Sequence, residues 1–596
     1  MTHTFHIPVL GLAFSIDSAV KVAQYGISSV MSIVDDELIE RMRHYYCGQY
    51  QIPYHPIAKT EEDYRAKRIT AYLNLVQFVV NRQITALKQQ PFTESSEVTK
   101  YFQLLPDSHP SKPIYHAMEI ETNLAIKTEL QDLLINYLKP GDIDVNIMSK
   151  VDKINYKDGK VLEQQHSDAL AALRGFANST LHSSLILSAG MNPHLYAYLA
   201  ELPAFFPNSE GVFEKKVALK VSDFRSALIQ AKYLAKRGVW VSEFRVESGL
   251  NCGGHAFATD GFLMGPILEE FKEKKESLKV ELFEIYKEYW AIQKIYLTQV
   301  PSIKYTVQGG VGTASEHQFL LDYYGFDAVG WGSPFLLVPE ATTVDQDTLK
   351  ALELAEKDDF YCSGASPLGI PFNNFRQSSA EQLRLERIKK GRPGSPCKKE
   401  YLISNTEFSD KPICTASRVY QRQKIQELQR QNLPAAEYDK AFDAITEKTC
   451  LCEGLAAPAY LKYNIQKTRE QTAVSICPGP NLVWFKKQYS LREMIDHIYG
   501  RISVFENENR PFVLINELNL YIDYIQKYVT DNQNMINDKK IKYVAKFKAQ
   551  LQAGITYYDK LIQHLAHIPQ NITAMIPRQL EHASLRLNDI HLQLEY

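Results

Sequence analysis

Residues 304–335 read KYTVQGGVGTASEHQFLLDYYGFDAVGWGSPF, and this stretch decides the fold. It predicts a strand at 303–307, a glycine turn at 309–312, a helix, and a second strand at 326–329 that ends in the turn 330–333. Two glycine turns in consecutive strand–helix units are typical of the phosphate site late in a (β/α)8 barrel. The alternative is that the glycines only close tight turns, and the repetition in two units favours phosphate.

The helix after the first glycine turn strengthens the phosphate interpretation. Thr313 and Ser315 are residues of the N-cap type, and they precede apolar residues at helical spacing. The first N–H groups of a helix have no partner in its own backbone, and they attract anions. We therefore expect free N–H groups of this helix to point at the same anion as the glycine turns.

Six further strands are predicted ahead of this stretch, and most of them are separated by helical segments. Their bounds are 6–13, 27–34, 143–151, 184–190, 215–221 and 239–246. Together with the last two strands they predict a (β/α)8 TIM barrel within residues 1–360. Residues 35–140 are helical and polar without strand alternation, so they predict a helical insertion after the second strand.

The chain continues well beyond the predicted barrel. Residues 361–490 predict a loop-rich extension, and five of the eight cysteines lie within 397–482. Residues 491–596 contain three amphipathic segments, which predict a small helical bundle. We expect these C-terminal helices to form a homo-oligomer or to bind a partner protein.

Composition argues against several classes of protein. The chain has 596 residues, a net charge of −2 and 45% hydrophobic residues, which predicts a globular protein without the charge that recruits nucleic acid or an anionic membrane. No apolar run is long enough to span a membrane, and the N-terminus does not resemble a signal peptide. Eight cysteines in so long a chain predict a reducing, cytoplasmic environment.

The loop after the sixth predicted strand carries the candidate catalytic residue. It reads Asn251-Cys252-Gly253-Gly254-His255. The glycine pair lets the backbone approach a planar ligand, and imidazole titrates near neutrality, so His255 is a candidate general base. The alternative is a histidine that is only hydrogen-bonded within a loop. The glycine pair and the strand-end position favour the functional interpretation.

The cysteines of the extension have their own hypothesis. Cys414, Cys450, Cys452 and Cys477 are candidates to supply four thiolates to an iron–sulfur cluster or a zinc ion. No pair has the C-x-x-C spacing that marks such sites. Free buried cysteines are therefore the favoured interpretation.

Three motifs together resemble a known family. Gly-Gly-His at 253–255, Gly-Gly-Val at 309–311 and Gly-Ser-Pro-Phe-Leu at 332–336, with Glu340 after them, resemble the FMN-binding nitronate monooxygenases (2-nitropropane dioxygenases). The related enoyl-thioester reductases are similar. The resemblance covers residues 6 to about 341 apart from the insertion. The chain departs from the family at two places. Residues 13–15 are Ala-Phe-Ser where the family has Ala-Pro-Met, and residues 251–252 are Asn-Cys where the family has Glu-Ala. The second departure leaves the identity of the substrate open.

The resemblance implies an FMN that lies across the barrel mouth. Its phosphate would be bound by the N–H groups of Gly309, Gly310, Gly332 and Ser333. Its ring would face Ala13, Phe14 and Ser15 and approach Gly253 and Gly254, with Asn146 and Lys220 at its edge. A cation there would stabilise the negative charge of the reduced ring, whereas the alternative places Lys220 on the outer side of its strand.

The same resemblance implies an FMN-dependent oxidoreductase or monooxygenase. His255 would abstract a proton from a small carbon acid such as an alkyl nitronate, and O2 or NAD(P)H would be the second substrate. The alternatives are an enoyl-thioester reductase, an FMN-binding component of a larger biosynthetic assembly, and a flavin-binding protein without catalytic activity.

Overall fold

Eight parallel strands close into a barrel, which confirms the predicted (β/α)8 fold. The computed structural model describes residues 2–148, 152–157, 159–188, 190–208, 210–505, 510–533, 537–565 and 568–591. In chain order the barrel strands are β1 Phe5–Ile7, β2 Ser28–Ser32, β3 Ile143–Ile147, β4 Ser183–Leu187, β5 Lys215–Val221, β6 Val241–Glu247, β7 Lys304–Gln308 and β8 Ala328–Gly330. Each strand pairs with the next, and β8 pairs with β1.

Two predicted strands reach beyond the residues that the structure describes. β3 ends at Ile147 and β4 at Leu187. Residues 149–151 of the predicted third strand and residue 189 of the predicted fourth lie outside the described ranges.

Helices occupy the connections between the strands, as predicted. The insertion after β2 contains Asp36–Tyr50, Tyr64–Leu87, Glu97–Leu104, Lys112–Ile120 and Leu124–Ile135. The other barrel helices are Ser18–Val22, Asp168–Ala177, Pro193–Leu199, Phe224–Ala235, Met264–Ile292, Ala314–Asp322 and Gln346–Glu353. Among the described residues, no helix combines the length and apolarity that crossing a membrane requires.

The extension and the C-terminal helices follow the barrel. The extension contains an antiparallel hairpin, Phe360–Ser363 with Phe372–Phe375, and the helices Ser379–Lys389, Arg418–Arg430, Ala435–Thr446, Leu451–Gly454 and Ala457–Tyr463. The C-terminal helices are Leu491–Ile498, Val513–Asn532, Asp538–Leu561, Gln570–Thr573 and Ile576–Asn588. The division of the chain at residues 360 and 490 remains a prediction.

Strand β6 places charged side chains inside the barrel. Its sequence alternates, so Phe244 faces outward, where its ring stacks on Tyr305 at 5.8 Å, while Arg245 points inward. Arg245 Nε donates to Glu243 Oε1 at 2.8 Å, and Nη2 donates to Asp144 Oδ2 at 3.4 Å. Because Asp144 belongs to β3, this contact crosses the barrel interior. A buried cation held by two carboxylates therefore fills the barrel below its mouth.

Replacement of Arg245 by Met should destabilise the protein strongly. The variant leaves Asp144 and Glu243 buried without their cation, which typically costs about 3–5 kcal/mol. Denaturant titration of the full chain measures the change in the free energy of unfolding. Arg225→Met, at an exposed helix position, is the control and should change it by less than about 0.5 kcal/mol. Equal effects of the two variants would contradict this role of Arg245.

Candidate active site

A cavity of about 220 Å³ lies at the carboxyl ends of the strands. Residues at or just after the end of every barrel strand line it, from Pro8 after β1 to Gly332 after β8. The extension covers part of its mouth. This is the end of a (β/α)8 barrel at which ligand sites are found.

The cavity wall includes every residue predicted to bind the flavin or to act as the base, except Ala13 and Ser15. Those that line it are Phe14, Asn146, Lys220, Gly253, Gly254, His255, Gly309, Gly310, Gly332 and Ser333. Ser15 Oγ instead accepts a hydrogen bond from Leu10 N at 3.1 Å, and Ala13 N donates to Leu455 O at 3.0 Å. These two residues shape the turn after β1 and do not face the cavity.

The turn after β7 requires glycine. Gly310 has φ +78°, and a Cβ on it would lie 1.9 Å from Asn251 Nδ2. Gly309 has φ +128°, and its Cβ would lie 2.7 Å from Ser248 Cβ. Both the left-handed backbone and the space therefore exclude other residues. The close approach of the backbone to the loop after β6, and to the cavity, follows from these glycines.

The two glycine turns carry unpaired backbone donors at the cavity wall. Within the described residues, no chain acceptor takes up the N–H groups of Gly310, Val311, Gly332 or Ser333. All four residues line the cavity. Unpaired N–H groups gathered around one space can bind an anion.

The helix after the β7 turn does not offer its N-terminus to a ligand, contrary to our expectation. Glu316 Oε2 accepts hydrogen bonds from Gly312 N at 2.9 Å and Thr313 N at 3.2 Å. Thr313 Oγ1 accepts from Glu316 N, which completes a capping box. The carboxylate of the helix itself occupies the position that we expected an anion to take. The turn and the β8 loop retain the free N–H groups.

Lys220 points into the cavity, so the alternative of an outward lysine is wrong. Its Nζ lies 2.7 Å from Glu247 Oε2, and Gln308 Nε2 donates to Glu247 Oε1 at 3.0 Å. Burial raises the pKa of Glu247, but the ammonium of Lys220 and these hydrogen bonds outweigh it and leave the pKa below its usual value. The cavity floor therefore holds a partly buried charged pair.

His255 lies on the cavity wall within a loop that the extension holds in place. Its Nε2 is hydrogen-bonded to Ser366 Oγ at 2.8 Å, and its ring meets Phe372 edge-on at 5.2 Å. Gly254 N donates to Cys477 O at 3.0 Å. The structure thus places an imidazole beside the glycine turns with a hydroxyl group to orient it.

Three amide side chains in the cavity wall, those of Asn146, Asn251 and Gln308, carry buried polar atoms without a hydrogen-bond partner in the described part of the chain. Asn146 is 7% exposed and Asn251 is 1% exposed. Asn146 Oδ1 and both polar atoms of the Asn251 amide have no hydrogen-bond partner in the described part of the chain. Buried amides are rarely left unpaired, so a polar ligand is expected to contact them. In the sequence, Asn251 stands out only as a departure from the family motif.

The extension contributes an apolar wall that the sequence analysis did not predict. Side chains from separate segments of the extension meet over the barrel mouth. They are Phe372, Leu402, Leu451, Leu455 and Ile476. No sequence motif marks them. Glu247 and Gln308 were also missed, although the alternation of polar residues in β6 and β7 was a readable signal.

The cysteines do not form a ligand cluster. Within the described ranges, no group of three or more His, Cys, Asp or Glu side chains is arranged to hold a metal ion, and every cysteine is a free thiol. Cys452 and Cys477 line the cavity. Cys414 lies away from it, and its hydrogen bond with Cys397, together with burial, raises the pKa of Cys414.

Comparison with known proteins finds structural likeness without sequence likeness. No protein-family model matches the chain, and no curated protein matches it. The chain is similar to the structure of FabK from Thermotoga maritima, with 12% identity and a TM-score of 0.35 over 89% of this chain and 96% of that one. It is also similar to the enoyl reductase domain of MlnA from the macrolactin biosynthesis cluster of Bacillus amyloliquefaciens, with 11% identity and a TM-score of 0.37 over 89% and 97%. These values carry no conclusion about function.

A buried carboxyl from the C-terminal helices supports the loop after β6. Glu517 Oε1 accepts from Ser248 Oγ, and Oε2 accepts from Met264 N at 2.8 Å. Ser248 Oγ in turn accepts from Asn251 N at 3.2 Å. Burial raises the pKa of Glu517 to about 7, so the group is protonated in the folded protein at mildly acidic pH.

Glu517 should make stability fall as the pH rises through about 7. Its pKa is raised on folding, so the stabilisation is complete below its unfolded pKa and disappears above the folded value. This rise corresponds to a loss on the order of 3 kcal/mol in the free energy of unfolding between pH 5 and 8. Denaturant titrations at both pH values should show a smaller loss in Glu517→Gln. An identical loss in wild type and variant would contradict the assignment.

Proposed function

We propose that this protein is an FMN-dependent oxidoreductase. The observation that carries the proposal is the convergence of two glycine turns, with four unpaired backbone N–H groups in the described structure, on one cavity at the barrel mouth. Backbone donors arranged in this way suit a phosphate monoester. The turns after β7 and β8 would hold the FMN phosphate.

The rest of the cavity fits a flavin ring. The ring edge of FMN carries carbonyl and N–H groups, which match the unpaired amide atoms of Asn146 and Asn251. Gly253 and Gly254 leave room for a planar group beside His255. FMN would supply the transfer of a hydride or of single electrons when bound. Residues of the chain would stabilise charge, transfer protons and exclude water.

The charged pair and the histidine have distinct roles in this proposal. The ammonium of Lys220, held by Glu247, would stabilise negative charge at the cavity floor in an environment of low polarity. His255 would hold or deliver a proton, and the hydrogen bond of its Nε2 with Ser366 would orient the ring. The apolar wall of the extension would exclude water from the substrate.

The apolar wall also favours one substrate class. Five large apolar side chains from the extension face the cavity opposite the strand ends. A small nitronate would leave this surface exposed, whereas the acyl chain of an enoyl thioester would cover it and gain about 0.8 kcal/mol per buried CH2 group. We therefore propose reduction of an enoyl thioester with NAD(P)H as the activity.

Nitronate oxidation with O2, in which His255 acts as the base, is the competing activity. It is supported by the position of His255 on the cavity wall with Ser366 as its partner. Docking on a larger assembly through the C-terminal helices also remains a prediction, and these helices already contact the barrel of the same chain through Glu517.

Spectroscopy and two assays on the full-length protein test the proposal. The protein should bind FMN, oxidise NADPH or NADH with an enoyl thioester, and prefer octenoyl to crotonyl thioester by at least about tenfold in kcat/KM. His255→Gln should retain FMN and lose about 10²–10⁴ in turnover. Oxygen uptake with a nitronate and no enoyl reduction would shift the assignment to nitronate oxidation, and absence of FMN binding would contradict both.

Gly310→Ala should weaken FMN binding by at least about tenfold. The added Cβ would collide with Asn251 and strain a left-handed backbone at φ +78°. Gly211→Ala is a matched control, since Gly211 has φ +76° and nothing within 4 Å of its ideal Cβ. FMN fluorescence titration compares the two variants. Equal affinity in both would show that the β7 turn does not contact the cofactor.

A further inference from the structure

We infer that the C-terminal part of the chain holds the turn after β7 in its phosphate-binding conformation and directs the N–H group of Val311. Asn481, His497 and Arg510 act as positioning residues for the turn after β7. This inference rests on the proposed function, because it assigns these residues to FMN binding. It gives the extension and the C-terminal helices a role in the cofactor site of their own chain.

Three consecutive carbonyl groups of the turn each accept a hydrogen bond from this part of the chain. Arg510 Nη2 donates to Gly310 O. Asn481 Nδ2 donates to Val311 O at 2.9 Å, and His497 Nε2 is bonded to Gly312 O at 2.8 Å. The donors lie about 170–200 positions later in the sequence.

Fixing a carbonyl also fixes the next N–H group. The peptide unit is planar and trans, so the N–H group of Val311 points away from the carbonyl of Gly310. Arg510 holds that carbonyl and does not belong to the cavity lining, whereas Val311 does. The N–H group of Val311, on the opposite side of the peptide unit, is therefore directed toward the cavity. The next two N–H groups, of Gly312 and Thr313, are taken by Glu316.

The positioning residues form one network. Arg510 Nε donates to Asn481 Oδ1 at 3.2 Å, and Arg510 Nη1 donates to Glu316 Oε1. Glu316 therefore caps its helix with one oxygen and binds Arg510 with the other. Arg510 is 6% exposed, so its charge is balanced within the protein by Glu316 and does not act as a free cation for the phosphate.

The tautomer of His497 follows from its contacts. Burial lowers the pKa of His497, so the ring is neutral near pH 7. Val504 N donates to Nδ1 at 3.3 Å. The proton is therefore on Nε2, and Nε2 donates to Gly312 O. His497 does not belong to the cavity lining, so any effect of its replacement on FMN must pass through the turn.

A glycine turn without these contacts would sample many conformations. Gly309, Gly310 and Gly312 give the turn the freedom to adopt both signs of φ. Ordering such a segment on ligand binding costs free energy, and prior ordering removes that cost from the binding step. The carbonyl contacts from the C-terminal part thus make the turn a preformed anion site.

The experiment compares FMN with riboflavin, which lacks the phosphate. The full-length wild type, His497→Leu and His497→Gln are titrated with each flavin by fluorescence quenching, and the melting temperature of each protein is recorded. We expect His497→Leu to bind FMN about tenfold more weakly and riboflavin as the wild type does. His497→Gln retains a donor near the position of Nε2 and should restore FMN affinity to within about threefold.

Three outcomes would overturn the inference. The first is a folded His497→Leu that binds FMN as tightly as the wild type does. The second is an equal loss of FMN and riboflavin affinity, which would indicate a general packing role of His497. If His497→Leu does not fold, Asn481→Leu is titrated in the same way. Because Asn481 itself lines the cavity, unchanged FMN affinity or an equal loss of FMN and riboflavin affinity in this variant would overturn the inference. If the wild type binds FMN and riboflavin with equal affinity, the proposed phosphate site itself would be contradicted.

Discussion

The orientation of the peptide groups between Gly309 and Gly312 is the constraint on which the rest of the site depends. Gly309 and Gly310 have left-handed backbones, and a Cβ on them would collide with Ser248 and Asn251, respectively. The carbonyl oxygens of residues 310–312 are bound by Arg510, Asn481 and His497, far along the chain. The barrel alone therefore contains the turn but not the contacts that fix it. This explains why a chain with a complete barrel retains a long C-terminal part packed against the barrel mouth.

A second constraint arises inside the barrel, where charged side chains replace part of the usual apolar filling. Strand β6 directs Glu243, Arg245 and Glu247 inward, and each of them forms an ion pair. Arg245 is held by Asp144 and Glu243 below the mouth, and Glu247 holds Lys220 at the floor. Pairing offsets the cost of burying these charges, and it also fixes the position of the Lys220 ammonium in the cavity wall.

Much of the barrel and of the strand-end residues could be predicted, since each depends on local signals. Short apolar runs marked the strands, and glycine pairs marked the turns. Other features could not be predicted in this way. The Thr313–Glu316 spacing is a capping box, but we interpreted the same helix end as an anion site. The covering residues of the extension, such as Leu402 and Ile476, reach the cavity through contacts between distant segments, and no single-sequence pattern reports such contacts.

The most direct test of the account is an experimental structure of the full-length protein with FMN. The account predicts the phosphate in contact with the N–H groups of Val311 and Ser333, and the flavin ring between Lys220 and His255. The carbonyl of Gly312 should still be bound to His497. A flavin outside the barrel mouth, or a phosphate at the N-terminus of the helix Ala314–Asp322 with Glu316 displaced, would contradict it.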